Sequence, residues 1–177
     1  MDMLIVCGSP SNTKARILGT ALARVEGGIL GFRHRSRLIE LLSFGGYAVK
    51  FRKEKNRNEW ICSDPEVYQE YTKSELCGFT FTDDGYLALF QLMKRAYDLS
   101  QWKCTNPKLP VLFISGAEDP CMGNVRKFAA SIQNMRKAGY RDVKGKLYRG
   151  MRHEILNEKG KEQVYHDIAV YIRKKRL

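Results

Sequence analysis

The run Leu109-Pro110-Val111-Leu112-Phe113-Ile114-Ser115 is the feature that most restricts what this chain can fold into. It reads as a strand, and it leads directly into the loop Gly116-Ala117-Glu118-Asp119-Pro120. Its surroundings repeat a simple alternation. Residues 124 to 138 carry an apolar stripe of Val125, Phe128, Ala129, Ile132 and Met135, and Gly139 stands where a left-handed C-terminal cap is wanted. A second strand is expected over 143 to 149, and a closing helix over 158 to 174 that buries Val164, Ile168 and Ile172. Strand, helix, strand, helix predicts an α/β fold with a parallel sheet and right-handed crossovers.

The N-terminus supplies one more short strand. Met3-Leu4-Ile5-Val6-Cys7 is an apolar run without alternation, read as a strand buried on both faces, and the turn-formers Gly8-Ser9-Pro10-Ser11-Asn12 end it. From there to about Cys104 the chain reads as helices between aromatic and charged loops. Helices are expected over Thr13 to Leu30, Ser36 to Phe44 and Pro65 to Glu75, with a loop at Asn56 to Pro65 that holds Trp60. Another follows Thr82, whose hydroxyl can cap it, with Asp83 and Asp84 at the positive end of the dipole. Its inward face would be Tyr86, Phe90, Met93 and Tyr97.

At 177 residues and 44% hydrophobic residues the chain can bury a core, which excludes a disordered tail. The net charge of +12 is scattered, and its densest clusters, Arg33 to Arg37, Lys50 to Arg57 and Arg173 to Arg176, carry no nucleic-acid-binding signature. Nucleic acid is therefore not an expected partner, while peripheral contact with an anionic membrane fits the charge. Cys7, Cys62, Cys77, Cys104 and Cys121 are odd in number and show no C-x-x-C spacing, so no metal site and no disulfide framework is expected. With no membrane span or signal peptide visible, a cytoplasmic location is expected.

Chemistry is expected where strands end. In open α/β sheets, ligands gather beyond the carboxyl ends of the strands, where Ser9, Asp119 and His153 would all fall. Pro120 restricts Asp119 to an extended backbone and stiffens its loop. A carboxylate so held can fix the tautomer of a histidine and stabilise the imidazolium that forms during acyl transfer, leaving the histidine to act as general base. His34 lies in a basic run and His166 within the final helix, so both are weaker candidates.

Four segments carry a family resemblance: Leu42-Ser43-Phe44-Gly45, Leu76 to Thr82, Leu109 to Pro120 and Gly150 to Glu158. From about Leu4 onward the chain resembles the C-terminal part of the α/β hydrolases related to monoacylglycerol lipases and bacterial lysophospholipases, also grouped with the serine aminopeptidase-like hydrolases. The resemblance implies a partial α/β-hydrolase fold with three parallel core strands, the sixth to eighth of the family, flanking helices and a helical cap insertion. The expected division is a core strand at 1–9, a cap at 10–103 and a C-terminal core at 104–177. The family's acid falls on Asp119 and its histidine on His153, and the substrate would be a lipid ester such as a monoacylglycerol or lysophospholipid, with no cofactor.

The nucleophile elbow G-x-S-x-G is absent, since Gly8-Ser9-Pro10-Ser11-Asn12 lacks the flanking glycines, and so is a His-Gly type oxyanion loop. The chain is accordingly expected to be the C-terminal part of a hydrolase that is inactive alone. The inner edge of Leu4 to Cys7 would then be bare, which predicts an N-terminal companion or self-association along it. Two alternatives are of other classes. Leu4 to Asn12 resembles the opening of flavodoxin-like FMN or quinone reductases, and the basic surface would suit a non-catalytic binding remnant.

Overall fold

In a computed structural model, residues 1–51 and 56–176 are described. Of the basic cluster Lys50 to Arg57, positions 52–55 lie outside the described residues. The chain divides into two compact units, one of Met1–Ser11, Asn58–Glu70 and Lys103–Leu177, the other of Asn12–Arg57 and Tyr71–Trp102. Residues 58–70, inside the segment 10–103 read as an insertion, thus cluster with the two strand-bearing segments.

The first unit is built on a parallel sheet in the order β1-β2-β3, with β1 at Leu4–Cys7, β2 at Val111–Gly116 and β3 at Val143–Tyr148. Leu4 pairs with Val111 and Cys7 with Ile114, while Val111 pairs with Val143 and Gly116 with Tyr148. The central strand β2 is buried along its whole length, as its unbroken apolar run requires. β1 departs from expectation: Leu4 to Val6 are half-buried and Cys7 is exposed. It pairs with β2 alone among the described residues.

Alternation along β2 divides the core. Leu112 and Ile114 join Tyr148, Met151, Ile155 and Val164 of helix α6 (Lys161–Arg176), with Ile5, Ile168 and Tyr171 at the margin. On the other side Phe113 meets Phe128 of helix α5 (Val125–Lys137) edge to face, with ring centroids 6.5 Å apart. Gly145, the register partner of Phe113, makes room for this helix: a Cβ there would lie 2.4 Å from Ile132 Cδ1. Asn124 caps α5 by accepting from Lys127 N at 3.0 Å, and Gly139 takes the expected positive φ of 112°. The stripe on α5 is narrower than its sequence suggests. Phe128 and Met135 are buried, but Val125 is 60% exposed and Ala129 is exposed too.

The second unit is helical. It contains α1 (Ala15–Leu30), α2 (Arg37–Lys50) and α4 (Asp83–Ala96), and α3 (Pro65–Lys73) ends in it. Ala23, Ile39, Tyr86 and Phe90 form its core, joined by Leu22, Phe44, Phe81, Leu87 and Met93. Gly19 lets the Phe90 ring lie against α1, since a Cβ would sit 2.6 Å from it. Thr82 caps α4 as expected, accepting from Gly85 N at 3.1 Å. Ser36 caps α2 by accepting from Ile39 N, but the helix continues past Phe44 through Gly45 and Gly46 to Lys50. Two glycines weaken a helix by propensity alone, and Phe44, just before them, packs against the core. No helix among the described residues is long and apolar enough to cross a membrane.

Candidate active site

Two loops leave the sheet side by side and bring the sequence-nominated acid and histidine together. After β2 the chain turns so that Ala117 N donates to Tyr148 O at 2.8 Å and Glu118 N to Met151 O at 3.0 Å. These bonds lock the loop after β2 onto the loop after β3. Gly116 makes the approach possible, because a Cβ there would lie 2.0 Å from Arg152 O and 2.2 Å from Met151 O. Any side chain at this position would force the loops apart.

Asp119 is 1% exposed, and both its oxygens are engaged. Oδ1 accepts from Cys121 N at 2.7 Å, while Oδ2 accepts from Ser115 Oγ at 3.1 Å and lies 3.0 Å from His153 Nδ1. Pro120 separates the acid from Cys121, and this short turn aims the carboxylate away from solvent and toward the ring. His153 is 29% exposed at its side chain, so one part of the ring is held and another is open to a reactant. Trp60 lies against it with ring centroids 5.4 Å apart. On another side, Gly8 at φ 59° brings backbone so near that a Cβ would sit 3.2 Å from His153 Cε1.

The histidine loop is clasped by residues 58–64 of the same unit. Glu158, 1% exposed, accepts from Arg152 N at 2.6 Å and from Ser63 N at 2.9 Å, and also from Ser63 Oγ. Arg152 is buried with its guanidinium donating to Glu59 O and to Cys62 O, and Glu154 N donates to Ile61 O at 2.8 Å. Buried charges are tolerable here because each is spent on several hydrogen bonds.

Burial works against a charged His153 ring, but the hydrogen bonds to Asp119 and Cys121 and the charges of both outweigh it, so its pKa is pushed up to about 10. The arrangement therefore does what an acid beside a catalytic histidine must do, which is to favour the imidazolium. One donor atom each of Asp119, Cys121 and His153 lies within 4.8 Å of the others, close enough for a metal. Both Asp119 oxygens already accept hydrogen bonds, which argues against that use. Asp119 and His153 meet as their positions in sequence suggest. Ser9 does not join them: its Oγ bonds to Pro10 O at 3.5 Å, and Gly8 rather than Ser9 touches the ring. Of the other histidines, His34 pairs with Asp83 in the helical unit and His166 is exposed on α6.

Ser115, Cys121, Glu158 and Arg152 were not singled out by sequence reasoning. Ser115 and Cys121 flank the acid, so proximity in sequence could have found them. Glu158 and Arg152 gain their roles only through segment 58–64, more than ninety residues away in the chain.

A family model described as serine aminopeptidase, S33, matches residues 1–160. No curated protein matches the chain by sequence. Among solved structures, a thermostable carboxyl esterase from Bacillus coagulans in complex with glycerol superposes with a TM-score of 0.86 at 20% identity, over 100% of this chain and 58% of that one. A monoacylglycerol lipase of Paleococcus ferrophilus gives 0.60 at 17% identity, over 99% and 59% of the two chains. A soluble variant of the Saccharomyces cerevisiae monoglyceride lipase, in complex with a substrate analogue, gives 0.60 at 16%, over 98% and 56%. At these identities the likeness is one of fold. It places the three strands and their helices in an α/β-hydrolase frame, and the segment Leu4 to Asn12 serves that frame rather than a flavodoxin-like one.

Proposed function

The chain belongs to the serine aminopeptidase S33 family, and from that premise we propose that it forms the acid and base part of a serine ester hydrolase, with Asp119 orienting His153. The carrying observation is the 3.0 Å contact between a buried Asp119 Oδ2 and a half-open His153 Nδ1 at the carboxyl ends of neighbouring parallel strands. With its ring neutral, His153 takes the proton of an attacking serine and returns it to the leaving alcohol, and Asp119 stabilises the imidazolium between those steps; the raised pKa of the ring moves this base role toward higher pH. No G-x-S-x-G occurs within the 177 residues, so the serine and the oxyanion donors come from outside them.

The substrate class we propose is a lipid ester such as a monoacylglycerol or lysophospholipid. The names of the esterase and lipases that share the fold support an ester, and the exposed Ile17, Leu18, Leu41 and Leu42 of the helical unit support an apolar partner. The net charge of +12 would assist peripheral contact with anionic membrane. A further strand, from an N-terminal companion or a second copy, would cover the edge of β1 that has no partner strand among the described residues. The cysteines are free, in keeping with a reducing cytoplasm.

A fluorophosphonate probe tests the reading. The 177-residue chain alone should remain unlabelled. Joined to a hydrolase N-terminal portion that carries G-x-S-x-G, it should label in the wild type and lose at least about a hundredfold in labelling rate as His153→Ala. Stoichiometric labelling of the chain alone would place the nucleophile inside it, and labelling indifferent to His153 would remove the proposed base.

A further inference from the structure

The helical unit holds a second group of titratable side chains that the hydrolase reading does not use. Glu26 comes from the later turns of α1, His34 from the loop between α1 and α2, and Asp83 is the first residue of α4. One donor atom of each lies within 4.8 Å of the others. The backbone holds this meeting in place: Asp83 N donates to His34 O at 2.9 Å, Asp84 N to Phe32 O at 3.1 Å, and Arg35 bridges to Thr82.

Asp83 is the informative member. It is 0% exposed, and of its two oxygens only Oδ2 is engaged, 3.1 Å from His34 Nδ1. Oδ1 is buried with no hydrogen-bond partner, and so is Oε2 of Glu26. A carboxylate oxygen taken out of water without a donor is costly, and two in one cluster call for a shared positive charge. Asp119 makes the contrast, since every oxygen there has a donor. The His34 side chain is 36% exposed, which gives an ion a way in.

We propose that Glu26, His34 and Asp83 bind a divalent transition-metal ion of the zinc class within the helical unit. Bonds of about 2.0–2.2 Å place neighbouring donors of a tetrahedral site about 3.3 Å apart, near the spacing already present between His34 and Asp83. An imidazole with two carboxylates favours zinc over calcium or magnesium, which prefer oxygen alone. Three protein ligands leave a fourth position for water. Bound there, the ion ties the end of α1 and its following loop to the start of α4. The inference does not depend on the roles given to Asp119 and His153.

The test uses the full chain, freed of metal by chelation and titrated with zinc by calorimetry, with cobalt as a spectroscopic substitute. The expected result is one equivalent bound at this site. Asp83→Asn, Glu26→Gln and His34→Ala should each weaken it more than about tenfold, with unchanged circular dichroism for at least the partly exposed Glu26 and His34 variants. Cobalt in the Cys121→Ser background should give the weak visible bands of nitrogen and oxygen ligands, which separates this site from Asp119, Cys121 and His153. Absence of stoichiometric zinc binding, or binding that survives all three substitutions, would overturn the proposal.

Discussion

Replacing Asp119 by Asn should change the protonation of His153 more than its position. Asn keeps the shape and can still accept a bond at one atom, but it removes the charge that opposes ring burial. The wild-type ring is held up to about 10 against an ordinary value of 6.5. At about 1.36 kcal/mol per unit this corresponds to a ceiling of about 5 kcal/mol, and the 29% exposure of the side chain together with the share owed to Cys121 reduces the Asp119 part to about 2–3 kcal/mol. Because the folded pKa is raised, this stabilisation is fully present below pH 6.5 and is lost as pH rises through about 10. Carbon-resolved NMR of the His153 imidazole would follow it. His153 of the variant should titrate at least about two units lower than in the wild type. The urea stability difference between the two proteins should shrink as pH climbs from 8 to 11. A His153 titration unmoved by the substitution would refute the argument that Asp119 is what favours the imidazolium.

Other expectations are more local. Gly116→Ala should destabilise the first unit by about 3 kcal/mol or more in urea denaturation, because its Cβ would meet backbone oxygens of Met151 and Arg152 that no rotamer change can move; a loss under about 1 kcal/mol would contradict the loop packing described. Glu158→Ala should cost about 2–4 kcal/mol and speed amide exchange at Ser63 and Arg152, which lose their acceptor. Exchange at those amides matching the wild type would show that Glu158 does not hold them. Cys121→Ser should lower the His153 pKa, since the neighbouring sulfur helps to raise it, and NMR of the same ring would detect the opposite sign at once.

The strand and helix alternation of the last third was legible because each element carries its own periodicity: β2 and β3 fall within two residues of the expected ranges, and the caps at Thr82 and Gly139 act as their side chains suggest. The meeting of Asp119 and His153 was legible for a topological reason, since a parallel sheet delivers successive strand ends to one rim. The bare edge of β1 was legible through the family resemblance, but its partial burial was not: an apolar run such as Leu4 to Cys7 does not itself say how far its two faces are covered. The partial exposure of the α5 stripe escaped for the same reason, as periodicity gives the inward direction of a helix and not how much of that face is covered. Glu26, His34 and Asp83 also lay beyond sequence reading, which looks for short ligand spacings. They are contributed by three segments that the α1 and α4 packing alone brings together.

The clasp of Glu158 on Ser63 and Arg152 has a consequence for anyone who wishes to move this site. The loop from Gly150 to Glu154 is no self-contained cassette, for its inner face is finished by carbonyls of Glu59, Ile61 and Cys62. Grafting the histidine loop onto another sheet would carry a buried arginine and a buried glutamate into a host with no counterpart for either. The transferable piece is the pair of segments, 58–64 with 150–158, and recombination or directed evolution that shuffles one without the other should yield chains that fold poorly before they lose any chemistry.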